Sequence, residues 1–214
     1  NEMETDLATL QSTASRAYGT ASTTPFASDL SDTAQVRKIL ADNGAPLSDM
    51  QLVIDTTAGA KMRTLTQLSK ANEAADTSLL RQGLLLDVHG MQIRESAQIL
   101  TAGSNAITGT VTVTGSNAIG ATSIGITTAG GSGVAAIAGD IITFAGDTNK
   151  YVVKTAVTVG ASTTGTVVLA APGLRIAKSA TAAISGVAVA ARSLGFSKSA
   201  LVLATRAPAR PEEG

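Results

Sequence analysis

Hydrophobic positions along this chain follow two different periods, one in the first hundred residues and another beyond them. The first period is helical, with apolar residues three or four positions apart. A stripe at positions i, i+4, i+7 and i+11 predicts an amphipathic helix over residues 2–18 that ends at Gly19. The members of this stripe are Met3, Leu7, Leu10 and Ala14.

A second helical pattern ends at residues 43–46, Asn-Gly-Ala-Pro, because glycine favours a left-handed backbone and proline prevents continuation. The branched apolar run at residues 52–54 then predicts a buried strand. Asp55 follows this run and is suited to accept the free amide hydrogens of a third helix, predicted over residues 56–75. One face of that helix would carry Met62, Leu65 and Leu68.

Two more apolar runs, residues 84–86 and 91–93, lie on either side of the dipeptide His89-Gly90. This spacing predicts two paired strands that are joined by a turn. Together with the preceding helices, such a pair makes a compact α+β unit and not a repeat of β-α-β form.

Beyond residue 100 the chain is built of Thr, Val, Ala and Gly, and apolar residues alternate with polar ones. This alternation is typical of strands, and Gly or Asn turns bound each run. We expect roughly six short strands here, among them residues 110–114, 123–126 and 150–154. Residues 136–145 are interpreted as the start of a hairpin whose turn is Gly139-Asp140.

The density of charge changes at the same point in the chain. Residues 1–100 carry twelve acidic and eight basic side chains, whereas residues 101–192 carry only seven charged ones. We therefore expect an α+β unit made of residues 1–102 and 191–214, with an all-β, barrel-like domain inserted at residues 103–190. So low a charge on an exposed domain indicates that part of its surface faces a neighbour.

The order of these elements resembles that of the major coat proteins of tailed bacteriophages. The resemblance rests on residues 40–99, from LADNGAPLSDMQLVID to MQIRESAQI, and on the C-terminal LGFSKSALVLATRAPARPEEG. Residues 137–144 and 151–153 also resemble the β-barrel that several short-tailed-phage coat proteins carry as an insertion. The implied fold is an α+β capsid core of the tailed-phage and herpesvirus type, with helices packed on a small mixed sheet and an inserted all-β domain.

The same resemblance implies a structural function. Coat proteins assemble into an icosahedral shell that encloses DNA, so the expected partners are other copies of the chain together with scaffolding and portal proteins. The expected location is the virion capsid, and the host bacterial cytoplasm during assembly. Because the N-terminal arm and extended loop of the family have no counterpart in this sequence, the chain is expected to be the C-terminal part of a coat protein.

The C-terminal tail carries two candidate site residues, Arg206 and Arg210, beside two prolines and two glutamates. One interpretation of this tail is a frayed terminus. The other is a subunit contact, in which Arg206 pairs with a carboxylate on an adjacent copy, since such contacts are often polar at their rims.

No enzyme activity is predicted, because no group of residues supports one. His89 is the only histidine, and its His-Gly turn, although near Ser96 and Asp87, is interpreted as a surface turn and not as part of a catalytic triad. Asp140 and Asp147 each follow a glycine, which is typical of turns more often than of Ca²⁺ sites. No metal and no cofactor are therefore expected.

Composition argues against disulfide-bonded, nucleic-acid-binding and membrane-spanning proteins. The chain has no cysteine, a net charge of zero and no dense Lys/Arg cluster, so neither disulfides nor a specific nucleic-acid site is expected. No apolar run of about twenty residues predicts a membrane span. The alternative to a shell protein is a β-rich binding or adhesion module of a phage or cell surface, but the absence of Trp argues against a glycan site.

Overall fold

The computed structural model describes residues 6, 9–69, 87–99, 101–104 and 107–202. Strand makes up 34% and helix 18% of the structure, so this is a β-rich fold with several sheets. The expected α+β capsid core, in which helices pack on a sheet, is therefore wrong. Among the described residues, two of the three predicted helices are interrupted, and the chain beyond residue 100 holds more strands than expected.

Among the described residues, the α-helices are α1 (Ser31–Asp42), α2 (Thr56–Arg63) and α3 (Thr66–Ser69), and 3-10 turns lie at Leu10–Thr13 (η1) and Lys198–Ala200 (η2). The predicted end of α1 is confirmed, since Asn43 caps the helix and Gly44 has a φ of +74°. The predicted cap at Asp55 is also confirmed. Its carboxylate accepts the amide hydrogens of Thr57 at 3.2 Å and Ala58 at 3.4 Å.

The third predicted helix, over residues 56–75, is interrupted. α2 ends at Arg63 and α3 is a single turn, while the later part of the predicted helix lies outside the described residues. The interruption comes at Thr64, whose hydroxyl donates to the carbonyl of Lys61 and so competes with the helical hydrogen bonds. The shared apolar face is confirmed by the burial of Met62, Leu65 and Leu68.

The predicted helix over residues 2–18 is wrong in its second half, and its first residues lie outside the described chain. After η1 the backbone becomes extended, and Arg16–Ala17 forms strand β1. Contacts with distant parts of the chain account for this change from helix to strand. The Arg16 guanidinium donates to the side-chain oxygens of Asn43 and Asn149, both at 3.0 Å. Helix propensity is a weak preference that contacts of this kind override.

The region of residues 103–190, called the β region below, holds nine strands among its described residues. This exceeds the roughly six expected; one of the strands, Ile107–Thr108, has only two residues and is too short to show an alternating pattern. The strands that follow β1 are β2 (Met50–Ile54), β3 (Met91–Glu95), β4 (Thr101–Ala102), β5 (Ile107–Thr108), β6 (Val111–Val113), β7 (Ser123–Thr128), β8 (Gly133–Ala136), β9 (Ile141–Phe144), β10 (Lys150–Val152), β11 (Val157–Val159), β12 (Thr164–Val168), β13 (Ala183–Gly186), β14 (Ala190–Ala191) and β15 (Leu194–Ser197).

A small mixed sheet has the strand order β15-β2-β3. β15 is antiparallel to β2, whereas β2 and β3 are parallel. Parallel neighbours separated by helices form a single β-α-β unit, a pairing that the sequence analysis did not predict. The turn at His89-Gly90 is confirmed, since Val88 and Met91 form a bridge around it. The predicted partner strand at residues 84–86 lies outside the described chain.

The small sheet and the helices share one hydrophobic core. α1 lies so close to β15 that a Cβ at Gly195 would collide with the Val36 side chain, which accounts for glycine at this position. Val36 and Leu40 of α1 pack against the core. Its buried members are Phe26, Met50, Leu52, Ile54, Ala58, Met62, Leu65, Leu68, Val88, Met91 and Ile93.

The large sheet has the strand order β1-β10-β9-β13-β6-β7-β12. A bridge between Val153 and Leu169 brings the chain after β10 against the chain after β12. The amide of Lys154 also donates to the carbonyl of Val168 at 2.8 Å. The sheet therefore curls back on itself around a second hydrophobic core. Large members of that core include Ile124, Ile126, Ile142, Phe144, Tyr151, Leu169 and Leu174.

A third sheet has the order β11-β8-β5. β8 therefore pairs with β5 and β11, whereas β9 pairs with β10 and β13 of the large sheet. The predicted hairpin over residues 136–145 is wrong, because the turn at Gly139, with a φ of +92°, passes the chain from one sheet to another. β4 and β14 pair antiparallel, so the two connections to the β region lie side by side.

Leu65→Ala is expected to lower the free energy of unfolding by about 2–5 kcal/mol, because it leaves a cavity in the core next to α2 and α3. Gln67→Ala, on the exposed side of α3, should change it by less than about 0.5 kcal/mol. Chemical denaturation of the two variants measures the difference. Equal losses would contradict this helical register.

Candidate functional site

The turn at Gly139-Asp140 holds both connections of the β region. The Asp140 carboxylate is buried and accepts the amide hydrogen of Ser104 at 2.7 Å, the hydroxyl of Ser104 at 2.5 Å and the amide hydrogen of Ile137 at 2.8 Å. On the returning connection, Arg192 donates to the carbonyl of Gly139. Burial lowers the pKa of Arg192, and the nearby Asp140 carboxylate opposes that effect. The outgoing and returning chains are therefore held together.

Asp147 lies buried in the β region with four hydrogen-bond donors around its carboxylate. Lys178 Nζ is 3.2 Å from Oδ2, and the two side chains are 4% and 0% exposed. The Tyr151 hydroxyl donates to the same oxygen at 2.7 Å. The amide and the side-chain nitrogen of Asn149 donate to Oδ1 at 2.8 and 2.7 Å. The ring of Tyr151 packs edge to face on Phe144, with 5.5 Å between centroids.

These contacts shift two pKa values in opposite directions. Burial acts to raise the pKa of Asp147, but the hydrogen bonds that its carboxylate accepts outweigh burial and hold the pKa below its ordinary value. Burial raises the pKa of Tyr151 to about 12, and the neighbouring Asp147 carboxylate adds to this effect. The aspartate is therefore ionised and the tyrosine neutral over the physiological range.

The turn interpretation of both aspartates is confirmed. The amide of Asp140 donates to the carbonyl of Ile137 at 3.2 Å, and that of Asp147 to the carbonyl of Phe144 at 3.1 Å. Both carboxylates accept hydrogen bonds from other groups of the same chain. Within the described ranges, no three metal-ligating side chains come together in one group.

Arg16 joins α1 to the β region. Its guanidinium reaches Asn43 at the end of α1 and Asn149 next to β10. Asp42 lies 3.9 Å from Arg16 and 3.5 Å from Arg175 of the β region. Both cations therefore stand at the C-terminal end of α1, where the helix dipole favours positive charge. Burial, followed by the repulsion of Arg175, lowers the pKa of Arg16, and Asp42 opposes this.

A largely apolar cleft of about 690 Å³ opens beside this junction. The segment of residues 10–26, α1, β15 and strands β9 and β10 contribute to its walls. Its volume falls within the range of small-molecule sites, about 300–1,000 Å³. We call this space the junction cleft. Its apolar lining includes Val36, Leu40, Leu52, Ile141, Val152 and Phe196.

Polar atoms without partners are concentrated in the lining of the junction cleft. Buried polar atoms in proteins are normally hydrogen-bonded. Four lining residues each hold a buried polar atom that has no hydrogen-bond partner in the described structure, and these atoms are Gln11 Oε1, Arg16 Nε, Arg192 Nη2 and Ser193 Oγ. The charged residues of the lining are three cations and one acid, Arg16, Lys150, Arg192 and Asp32.

His89 lies in a turn that is fastened to α1. Its Nδ1 is 2.6 Å from the hydroxyl of Thr33, and its carbonyl accepts a hydrogen bond from Arg37 at 2.8 Å. His89 is itself exposed, so its interpretation as a surface turn is confirmed. Ser96 directly follows the far end of β3, and Asp87 precedes the turn at an exposed position.

Arg206 and Arg210, the predicted subunit-contact residues, lie outside the described residues, so that role stays a prediction. Two other arginines, Arg16 and Arg192, form the junction, and the sequence reasoning missed both. Each stands in a stretch that is poor in charged residues. A buried cation needs polar partners, and an isolated one has to take them from distant parts of the chain. The isolation of these two arginines in the sequence could therefore have indicated contacts between separate segments.

No protein family model matches this chain, and no curated protein sequence is significantly similar to it. The resemblance to coat proteins therefore has no relative to support it, and a function has to be inferred from the geometry. Within the described residues, no helix has the length and hydropathy needed to cross a bilayer.

Asp147→Asn is expected to lower the free energy of unfolding by about 3–5 kcal/mol, because it leaves the Lys178 ammonium buried without its counter-charge. Lys178→Met should cost a similar amount for the converse reason. The double variant should lose less unfolding free energy than the sum of the two single losses, because each single change leaves the other charge buried without its partner. Urea denaturation at neutral pH measures all three. Strictly additive losses would show that the two charges do not act as a pair.

Tyr151 makes stability depend on alkaline pH. Its pKa is about 12 in the folded protein against 10.0 ordinarily, so the unfolded chain releases this proton first. The stabilisation is complete below pH 10 and disappears as the pH rises through 12, a loss of about 2–3 kcal/mol. Tyr151→Phe has no such proton, so its unfolding free energy should fall less steeply. Parallel curves for both proteins in denaturant titrations from neutral pH upward would refute this.

Proposed function

We propose that this chain is a structural shell protein that acts by binding further copies of itself. The face of the small mixed sheet that points away from the hydrophobic core carries the proposal. We call it the open face, because three strands of the sheet are described and no described helix belongs to that face. The proposed setting is the one that the coat-protein resemblance implies, an icosahedral phage capsid that encloses DNA. Scaffolding and portal proteins would be further partners, and assembly would take place in the host cytoplasm.

The open face consists of two rows of side chains that cross the three strands. Leu52 and Ile93 point from β2 and β3 into the core and are buried. Because side chains alternate along a strand, their neighbours point to the opposite side of the sheet. The strand register puts Phe196, Gln51 and Gln92 in one row, and Leu194, Val53 and Arg94 in the other.

The open face has an apolar half and a polar half. Its β15 and β2 members are half-buried, whereas Gln92 and Arg94 on β3 are exposed. The side-chain amide of Gln51 donates a hydrogen bond to that of Gln92 at 2.8 Å. This bond orients both amides at the boundary between the two halves. An aromatic and aliphatic patch edged by amides and an arginine is typical of protein interfaces. A partner copy related by two-fold symmetry would present the same patch.

The buried charges of the β region support a structural role. Asp140, Asp147 and Lys178 are buried, and their contacts with other residues hold connections and turns in place. The alternative function is a β-rich binding or adhesion module. A glycan site on the β region would need an accessible aromatic ring. Its two aromatic residues, Phe144 and Tyr151, are only 2% and 1% exposed, which favours the shell protein.

Val53→Glu is expected to weaken self-association by about tenfold or more, since it places a carboxylate in the middle of the open face. Arg94 lies opposite Val53 in the strand register, so the new carboxylate has a counter-charge within its own copy and the fold is retained. Thr166→Glu, at an exposed position of β12, is the matched control. Sedimentation velocity at rising protein concentration measures the dissociation constants.

The native chain and Thr166→Glu should form low-order oligomers at concentrations where Val53→Glu is still monomeric. A native chain that stays monomeric up to about millimolar concentration would overturn the proposed function. Equal association of the two variants would instead show that copies meet through another surface.

A further inference from the structure

We propose that the junction cleft binds an amphipathic monocarboxylate, an apolar chain with one anionic head group. The site would be present in each copy of the protein. This inference goes beyond self-association. Leu194 and Phe196 belong to both the open face and the cleft lining, but Val53, which is changed to test self-association, is not part of the lining, so the two proposals are tested separately.

The walls of the junction cleft suit an apolar chain. Aliphatic side chains reach it from α1, from the small sheet and from the β region, among them Val36, Leu52 and Ile141. Sites of this size, with a mainly apolar lining and few polar groups, are commonly found where two structural units meet. Burial of an apolar chain here would contribute about 25 cal/mol for each Å² removed from water.

Four residues of the lining hold polar atoms that have no partner among the described residues. Three of the four can donate, namely those on Arg16, Arg192 and Ser193. The Arg16 residue is 8% exposed, so bulk water has little access to it. Leaving a buried donor unpaired costs about 1–3 kcal/mol. A carboxylate brings two oxygens and several lone pairs, and is therefore the head group that best meets this unused capacity.

The charged residues of the lining favour a ligand with an anionic head group. The three cations of the lining face one acid, Asp32, and the Asp32 carboxylate already accepts the amide hydrogen of Phe26 at 2.8 Å. Asp42 and Asp140 offset part of the charge of Arg16 and Arg192 from behind the lining. The excess of positive charge in a partly desolvated space favours a negative head group over a neutral or cationic one.

The test is calorimetric titration of the full chain with dodecanoate below its micelle concentration. We expect saturable binding at one site per chain. Dodecyltrimethylammonium has the same chain length and a cationic head, and should bind at least about tenfold more weakly. Comparable affinity for the two amphiphiles would overturn the assignment of an anion site. The absence of saturable binding by dodecanoate would overturn the site itself.

Two variants locate the site. Ala188→Trp fills the cleft from an exposed position of its lining, and should weaken dodecanoate binding by at least about tenfold. Ile119→Trp adds the same side chain at a residue that is 68% exposed and outside the lining, and should bind as the native chain does. Equal binding by both variants would place the ligand elsewhere and overturn the proposal.

Lys150→Gln keeps the proposal testable if Ala188→Trp does not fold. It removes one lining cation and should weaken dodecanoate binding by about three- to tenfold, while binding of dodecyltrimethylammonium does not weaken. An equal loss for both amphiphiles would mean that the charge of the cleft plays no part. Dodecanoate that dissociates oligomers without binding the monomer would assign the cleft to a second copy and overturn the proposal.

Discussion

The buried guanidinium of Arg16 fixes how the two hydrophobic cores of this protein lie relative to each other. Its side chain is 3% exposed, so it has given up nearly all contact with water. That loss is compensated only when the end of α1 supplies Asn43 and Asp42 and the chain before β10 supplies Asn149. A buried cation without such partners costs several kcal/mol, so other placements of α1 against the β region are disfavoured.

The segment that carries Arg16 contacts the β region at one end and enters the core of the small sheet at the other. At one end, β1 pairs with β10, and Ser12 packs so closely on Gly139 that an added Cβ would meet it at 2.8 Å. At the other end, Phe26 is 1% exposed within the core of the small sheet. Because the segment is held at both ends, it bridges the space between the cores and forms one wall of the junction cleft.

The features that could be predicted from the sequence depend on residues that are close together in the chain. The end of α1 at Asn43-Gly44, the cap at Asp55 and the turns at Asp140 and Asp147 each involve a few neighbouring positions. The buried face of α2 and α3 and the alternating strands also follow from short-range periodicity. Local chemistry therefore accounts for where many elements begin and end.

The features that could not be predicted depend on residues far apart in the chain. β1 forms because Arg16 finds Asn149, more than a hundred residues later. The parallel pairing of β2 with β3, and the assignment of β8 and β9 to different sheets, are choices of strand partner that alternation does not specify. The coat-protein fold was wrong for the same reason, since it assigned partners to elements from their order alone. The junction cleft gave no signal, because its walls come from separate segments.

The open face and the junction cleft meet at β15. Leu194 and Phe196 stand in the two rows of the open face and also line the cleft, while Val53 belongs to the face alone. β15 is the end strand of the small sheet in the described structure, so only β2 holds it through backbone pairing. A ligand in the cleft and a copy on the face would therefore contact the same two side chains. If binding of the ligand and binding of the copy each change the position of β15, the two binding events are coupled. Thermodynamic linkage then requires that the ligand changes the affinity for the copy by the same factor by which the copy changes the affinity for the ligand. The position of β15, and not any single charged group, would then connect ligand binding to assembly.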